Sequence, residues 1–169
     1  MKLRETMNLP LSAREAAAMY ADSDYAEIRR RTLGADAASA VVSGDPAGEF
    51  TVTTDLHLPT DRVPDIAKRF VGSSLTVRET QRWSAPAADG SRSGTMQFDV
   101  VGLPAGMQGT ARLAPAGEGS CTVEIDGDLT AKVPLIGARL EKAAQPYVSK
   151  VLRAEERSAT TYREQSAAS

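Results

Sequence analysis

Glu79 and Gln81 interrupt an otherwise apolar alternation that runs from Leu75 and Val77 to Trp83, and they are the side chains most able to do chemistry in an enclosed site. A period of two places both on the dry face of a strand. A carboxylate removed from water needs a cation, a donor or a wet cavity, or it takes up a proton. Glu5, between Leu3 and Met7, raises the same question. Three readings follow. Glu79 and Gln81 form a polar handle that orients a ligand in an apolar pocket; Glu79 or Glu5, with a raised pKa, acts as a general acid or base; or a bulge near Arg78 reverses the alternation, or these residues lie at the sheet end in water.

Other chemistries lack residues. His57 is the single histidine and, counted against Val52 and Leu56, falls on the wet face with no second His or Cys beside it. Transition-metal arrangements and a Ser-His-Asp constellation are therefore not expected. The single cysteine, Cys121, forms no internal disulfide or zinc cluster and reads as a small buried apolar residue. Gly117-Glu118-Gly119 lacks the lysine and helix of a phosphate loop. With 20 Lys and Arg against 22 Asp and Glu, no basic footprint for nucleic acid is present. No catalytic residue, metal or cofactor is expected. Residues 1–6 lead into no apolar signal stretch and no window approaches the length of a membrane span, so a cytoplasmic protein without stable membrane insertion is expected.

The elements that would position these residues are legible from periodicity. The clearest strand is Cys121 to Val133, where Cys121, Val123, Ile125, Leu129, Ala131 and Val133 alternate with polar residues and Gly127 marks an expected bend or bulge. Weaker alternation predicts strands at Lys2–Leu9, Ala37–Ser43, Glu49–Leu58, Ser74–Ser84, Gly94–Val101 and Met107–Ala114. Turn-forming stretches at Gly44–Gly48, Pro86–Gly90, Gly102–Gly106 and Pro115–Gly119 join neighbouring antiparallel strands. Ser12 and Glu15 form a helix-start signal for Leu11–Ala21, and a second short helix spans Asp24–Leu33. A third covers Asp61–Val71 beyond Pro64. From Pro134 to about Gln165 the period becomes helical, with Ile136, Leu140, Ala143, Ala144, Tyr147, Val151 and Leu152 in one stripe. Pro146 should kink or split this helix near Ala144; the apolar stripe ends near Leu152, and the last dozen residues are expected in solvent. The charged helix positions Arg139, Glu141, Lys142, Lys150, Arg153, Glu155, Glu156 and Arg157 mix both signs and read as a solvated face.

The order of these elements, with Asp24-Tyr25-Ala26-Glu27, Arg69-Phe70-Val71-Gly72, Asp89-Gly90, Gly94-Thr95, Gly109-Thr110, Leu113-Ala114-Pro115, Lys132-Val133-Pro134-Leu135-Ile136-Gly137, Glu141 and Ala154-Glu155-Glu156, resembles the helix-grip superfamily of START and birch-pollen-allergen-like proteins. The closer resemblance is to the actinobacterial domain of unknown function 2505 family. The resemblance implies an α+β fold: a seven-stranded antiparallel curved sheet wrapped on a long C-terminal helix, with two short helices between strands 1 and 2. Residues 1–165 form one such domain, and 166–169 a frayed tail. It also implies a cavity for lipids, sterols, polyketides or other apolar small molecules, and no defined activity.

Strand parity and the helix stripe give the expected cavity wall: Glu5, Met7, Phe50, Val52, Leu56, Leu75, Val77, Glu79, Gln81, Trp83, Phe98, Val100, Leu113, Ile125, Leu129, Ile136, Leu140 and Tyr147. Core packing is an equal reading for Trp83 and Tyr147. The expected function is binding or carriage of an apolar small molecule or lipid between sheet and helix. The alternatives are a cyclase- or dehydratase-type enzyme using Glu79 or Glu5, and an interaction module. Ligand identity and oligomeric state stay open.

Overall fold

Alternating apolar and polar side chains generate seven strands, and three helices connect or cover them. The computed structural model describes residues 1–168, with Arg62 described by its backbone alone. The order is β1 (Lys2–Leu9), α1 (Ala13–Tyr20), α2 (Tyr25–Leu33), β2 (Ala37–Gly44), β3 (Phe50–Pro59), β4 (Ser74–Trp83), β5 (Arg92–Val100), β6 (Ala105–Pro115), β7 (Cys121–Ala131) and α3 (Gly137–Ala168). All pairings are antiparallel, and the strands lie in the order β1-β7-β6-β5-β4-β3-β2. Sequential hairpins therefore carry the chain from β2 to β7, while α1 and α2 bridge the two edge strands.

Local signals account for most boundaries. The Glu15 amide donates to Ser12 Oγ at 3.1 Å at the start of α1. α2 stops at Gly34, whose φ of 67° is the left-handed closure that glycine makes without strain. Strand parity holds across the sheet. In β7, Cys121, Val123, Ile125, Gly127, Leu129 and Ala131 are all buried, and β4 pairs one-to-one with β3 through Arg78 with no bulge there.

Four expectations need correction. Gly127 does not interrupt the ladder, because β7 pairs in continuous register with β1 and β6 through it. It faces Gly109, where a Cβ would lie 2.4 Å from the Asp126 carbonyl oxygen, so the glycine pair permits close approach of two backbones. The segment after β3 forms two 3-10 turns, Thr60–Arg62 and Asp65–Phe70, on either side of Pro64 instead of one helix. α3 begins at Gly137, three residues after Pro134, and continues through Pro146 without dividing. Its buried stripe also extends past Leu152, since Ala154, Glu155, Ser158 and Ala159 are buried. Glu155 and Ser158 fall outside a hydropathy stripe, and the small side chains of Ala154, Ser158 and Ala159 are buried where α3 packs on α2. The helix runs to Ala168, and Ser169 of the expected tail lies outside the described residues.

The concave face of the sheet is divided along its strands. At one end α1, α2 and the second half of α3 fill it, with Met7, Leu9, Met19, Tyr20, Tyr25, Phe50, Trp83, Leu113, Val123 and Ile125 in a continuous core. Tyr20 stacks on Trp83 at 5.8 Å, and Tyr162 of α3 meets the Tyr25 ring edge-on at 5.8 Å. At the other end the first half of α3 spans the sheet without filling the space beneath it.

Candidate functional site

The unfilled end holds a partly open cavity of about 670 Å³. Its sheet wall comprises Leu56 and Leu58 of β3, Leu75 and Val77 of β4, Phe98 and Val100 of β5, Met107 of β6 and Leu129 of β7. Leu140, Ala144, Tyr147 and Val148 of α3 face them, and Thr32 and Leu33 close the side toward α2. Val63, Ala67, Phe70 and Val71 come from the 3-10 segment. The volume is that of a site for a drug-sized or lipid-chain ligand, and most of the lining is hydrocarbon.

Register explains which expected residues meet here. Thr54, Glu79, Phe98, Met107 and Leu129 form one cross-strand row, and Leu56, Val77 and Val100 form the next. The second row faces the cavity, together with Phe98, Met107 and Leu129 of the first. Of the expected wall, Leu56, Leu75, Val77, Phe98, Val100, Leu129, Leu140 and Tyr147 line it. Met7, Phe50, Val52, Trp83, Leu113 and Ile125 share the inward face but lie under α1 and α2, packed in the core. Ile136 precedes α3 and is off the wall, as are Glu5, Glu79 and Gln81. Parity identifies a face, whereas the position of α1 and α2 along the strands decides which part of that face is covered. The residues from the 3-10 segment were missed because they carry no strand or helix period, and Thr32 and Leu33 because the helical period of α2 does not show that its end meets the sheet beside the cavity. The available signal was four apolar residues, Val63, Ile66, Phe70 and Val71, in a connection that would otherwise be expected to be polar.

The inward polar residues form a separate buried network. Arg29 of α2 donates to Glu79 Oε2 at 2.7 Å, with both side chains almost fully buried. Gln81 Nε2 donates to the other Glu79 oxygen, and Trp83 Nε1 donates to Gln81 Oε1 at 2.9 Å. Glu79 therefore ties α2 to the sheet. Glu155 of α3 is buried nearby, contrary to its expected place on a solvated face, and its Oε1 has no hydrogen-bond partner among the described residues. Burial pushes its carboxyl up to about 7, with Arg29 opposing and Glu79 reinforcing that shift. Glu5 accepts from Ser149 Oγ at 2.6 Å and lies 3.7 Å from Arg153, two α3 residues that border the cavity, while Glu5 itself does not line it.

The other reactive side chains have ordinary settings. His57 lies on the outer face of β3, with its Nδ1 2.9 Å from Thr76 Oγ1. Cys121 is buried, and desolvation pushes its thiol up to about 11, which suppresses thiolate chemistry. Among the described residues no three His, Cys, Asp or Glu side chains converge to hold a metal ion. No helix of the described residues is long and apolar enough to cross a membrane.

A family model described as "Protein of unknown function (DUF2505)" matches residues 4–162. An uncharacterized protein of Mycobacterium tuberculosis is 25% identical over 157 residues, covering 89% of this chain and 90% of that protein. Two solved structures extend the comparison. A START superfamily protein from Mycobacterium smegmatis superposes with a TM-score of 0.55 at 14% identity, covering 95% of this chain and 98% of that one. The Zhui aromatase/cyclase from Streptomyces sp. R1128 gives 0.55 at 14% identity, covering 98% and 94%. At these identities the likeness is one of fold: a START-like helix grip with its curved sheet and long C-terminal helix.

Proposed function

The chain belongs to the DUF2505 family, and from this premise we propose that it binds an apolar small molecule or lipid chain in the cavity between β3–β7 and the first half of α3. The observation that carries this reading is a 670 Å³ space walled by leucine, valine and phenylalanine in a chain whose other end is fully packed. Leaving such walls without partner atoms forfeits dispersion contacts, and an apolar occupant would restore them. Carriage of the occupant between sites is the corresponding role, and the helix-grip fold supports it. The acid–base alternative gains no support, since Glu79 is engaged by Arg29 and Gln81, Glu5 by Ser149, and neither lines the cavity.

Native mass spectrometry of protein purified from its own host, paired with titration of a fluorescent fatty acid, tests the proposal. Co-purified hydrophobic mass and saturable uptake are expected. Ala144→Phe, which places a ring in the cavity, should weaken uptake at least tenfold while leaving the melting temperature unchanged or raised. Undiminished uptake by a folded Ala144→Phe protein would place the ligand elsewhere.

A further inference from the structure

Leu135 is fully exposed and holds a φ of 71°, the left-handed region that a branched aliphatic side chain avoids. It makes no buried contact that would offset that strain, so the molecule carries an apolar side chain outward at a cost. It is not isolated. The Lys132 amide donates to the Pro104 carbonyl at 2.8 Å, which joins the β7–α3 connection to the β5–β6 turn. Val101 in that turn is 53% exposed, and Leu103 lies two residues on. Leu103 and Val133 also line the cavity, so this apolar tip stands at its edge.

Charge is asymmetric around the tip. Between positions 132 and 150 the chain carries Lys132, Arg139, Lys142 and Lys150 against one acid, Glu141, in a protein of formal net charge −2. All four are exposed, and none of them has a carboxylate partner among the described residues. Arg139 and Lys142 lie three residues apart on one face at the start of α3, where the helix dipole favours acids, and the first turn contains none. Glu141 is turned inward to accept from the Ala131 amide at 3.0 Å. The acids on adjoining strand ends, Asp99 and Asp128, are held by Gln97 and Lys2.

We propose that this tip, Val101–Pro104 with Lys132–Leu135 and the basic start of α3, is a reversible docking surface for an anionic lipid bilayer. Leu135 and Val101 would enter the interfacial region, while Lys132, Arg139 and Lys142 lie against the headgroups. This role stands independently of what the cavity holds, although the tip lies beside the cavity's edge.

Flotation with vesicles of phosphatidylglycerol and phosphatidylcholine, compared with phosphatidylcholine alone, tests it. Binding to the anionic vesicles is expected, weakening as salt rises, with little binding to neutral ones. Leu135→Gly should reduce binding at least fivefold while the melting temperature is unchanged or raised, because glycine relieves the strained backbone. The charge-reversed triple variant K132E/R139E/K142E should lose binding while keeping its melting temperature. Equal binding to neutral vesicles, no binding at all, or undiminished binding by Leu135→Gly would overturn the proposal. So would a dimer, seen by analytical ultracentrifugation, that Leu135→Gly dissolves, since the tip would then be a contact between two copies.

Discussion

Arg29, Glu79 and Glu155 place three ionisable groups in a small protein's interior, and their roles differ. Arg29 and Glu79 compensate each other, so removing one leaves the other charged and without its partner. Arg29→Ala is expected to cost about 3–5 kcal/mol in urea denaturation, and replacing both residues with apolar side chains of similar volume should cost much less. For Glu155 the opposing charge of Arg29 does not offset the cost of burial. Its carboxyl titrates near 4.5 when unfolded and at about 7 when folded, so the folded state retains a proton that the unfolded chain releases. Its contribution is fully present below pH 4.5, declines as pH rises, and is lost above about 7. Glu155→Gln should flatten that slope and stabilise the protein by about 1–3 kcal/mol at pH 8 relative to the parent. An unchanged pH profile in Glu155→Gln would assign the decline to other groups.

At the scale of elements, the sheet depends on a close approach that side chains would prevent. Gly109 and Gly127 face each other across β6 and β7, and a Cβ on Gly109 would meet the Asp126 carbonyl oxygen and the Gly127 Cα. Gly109→Ala should therefore destabilise by about 1–3 kcal/mol through forced backbone displacement. Gly72→Ala, with open space around its Cβ position and no positive φ, should change stability little. Thermal melts of the two variants check the contrast. α3 shows the opposite economy. Pro146 removes one backbone donor from a 32-residue helix that remains continuous, because packing on α1, α2, β1 and β7 holds its two halves together. Periodicity therefore located the helix correctly but misjudged where its buried face ends.

At the scale of the whole molecule, the packed and hollow halves divide the labour. α1, α2 and the second half of α3 close a core rich in aromatic rings and methionine, and the remaining span of α3 roofs a cavity. A ligand that enters this cavity only in the folded state must stabilise it. At a concentration one hundred times its dissociation constant the gain is about 2.7 kcal/mol. Differential scanning fluorimetry with a saturating apolar ligand should register that gain as a higher melting temperature, and Ala144→Phe should abolish it. The same division explains the fate of the expected wall residues. Leu56 and Val77 face open space, whereas Val52 and Gln81, two inward rows along the same two strands, are buried beneath α2.

The amino-acid sequence by itself determined the seven strands, their antiparallel succession, the inward parity of Glu79 and Gln81, and the long closing helix. Each of these follows from local periodicity and turn chemistry acting over a few residues. Only the tertiary structure decided that Arg29 would meet Glu79 across fifty residues, that Glu155 would be buried, and that half of one sheet face would stay uncovered. Those outcomes depend on where α1, α2 and α3 settle along the strands, and that placement arises from packing between distant segments that no local period records.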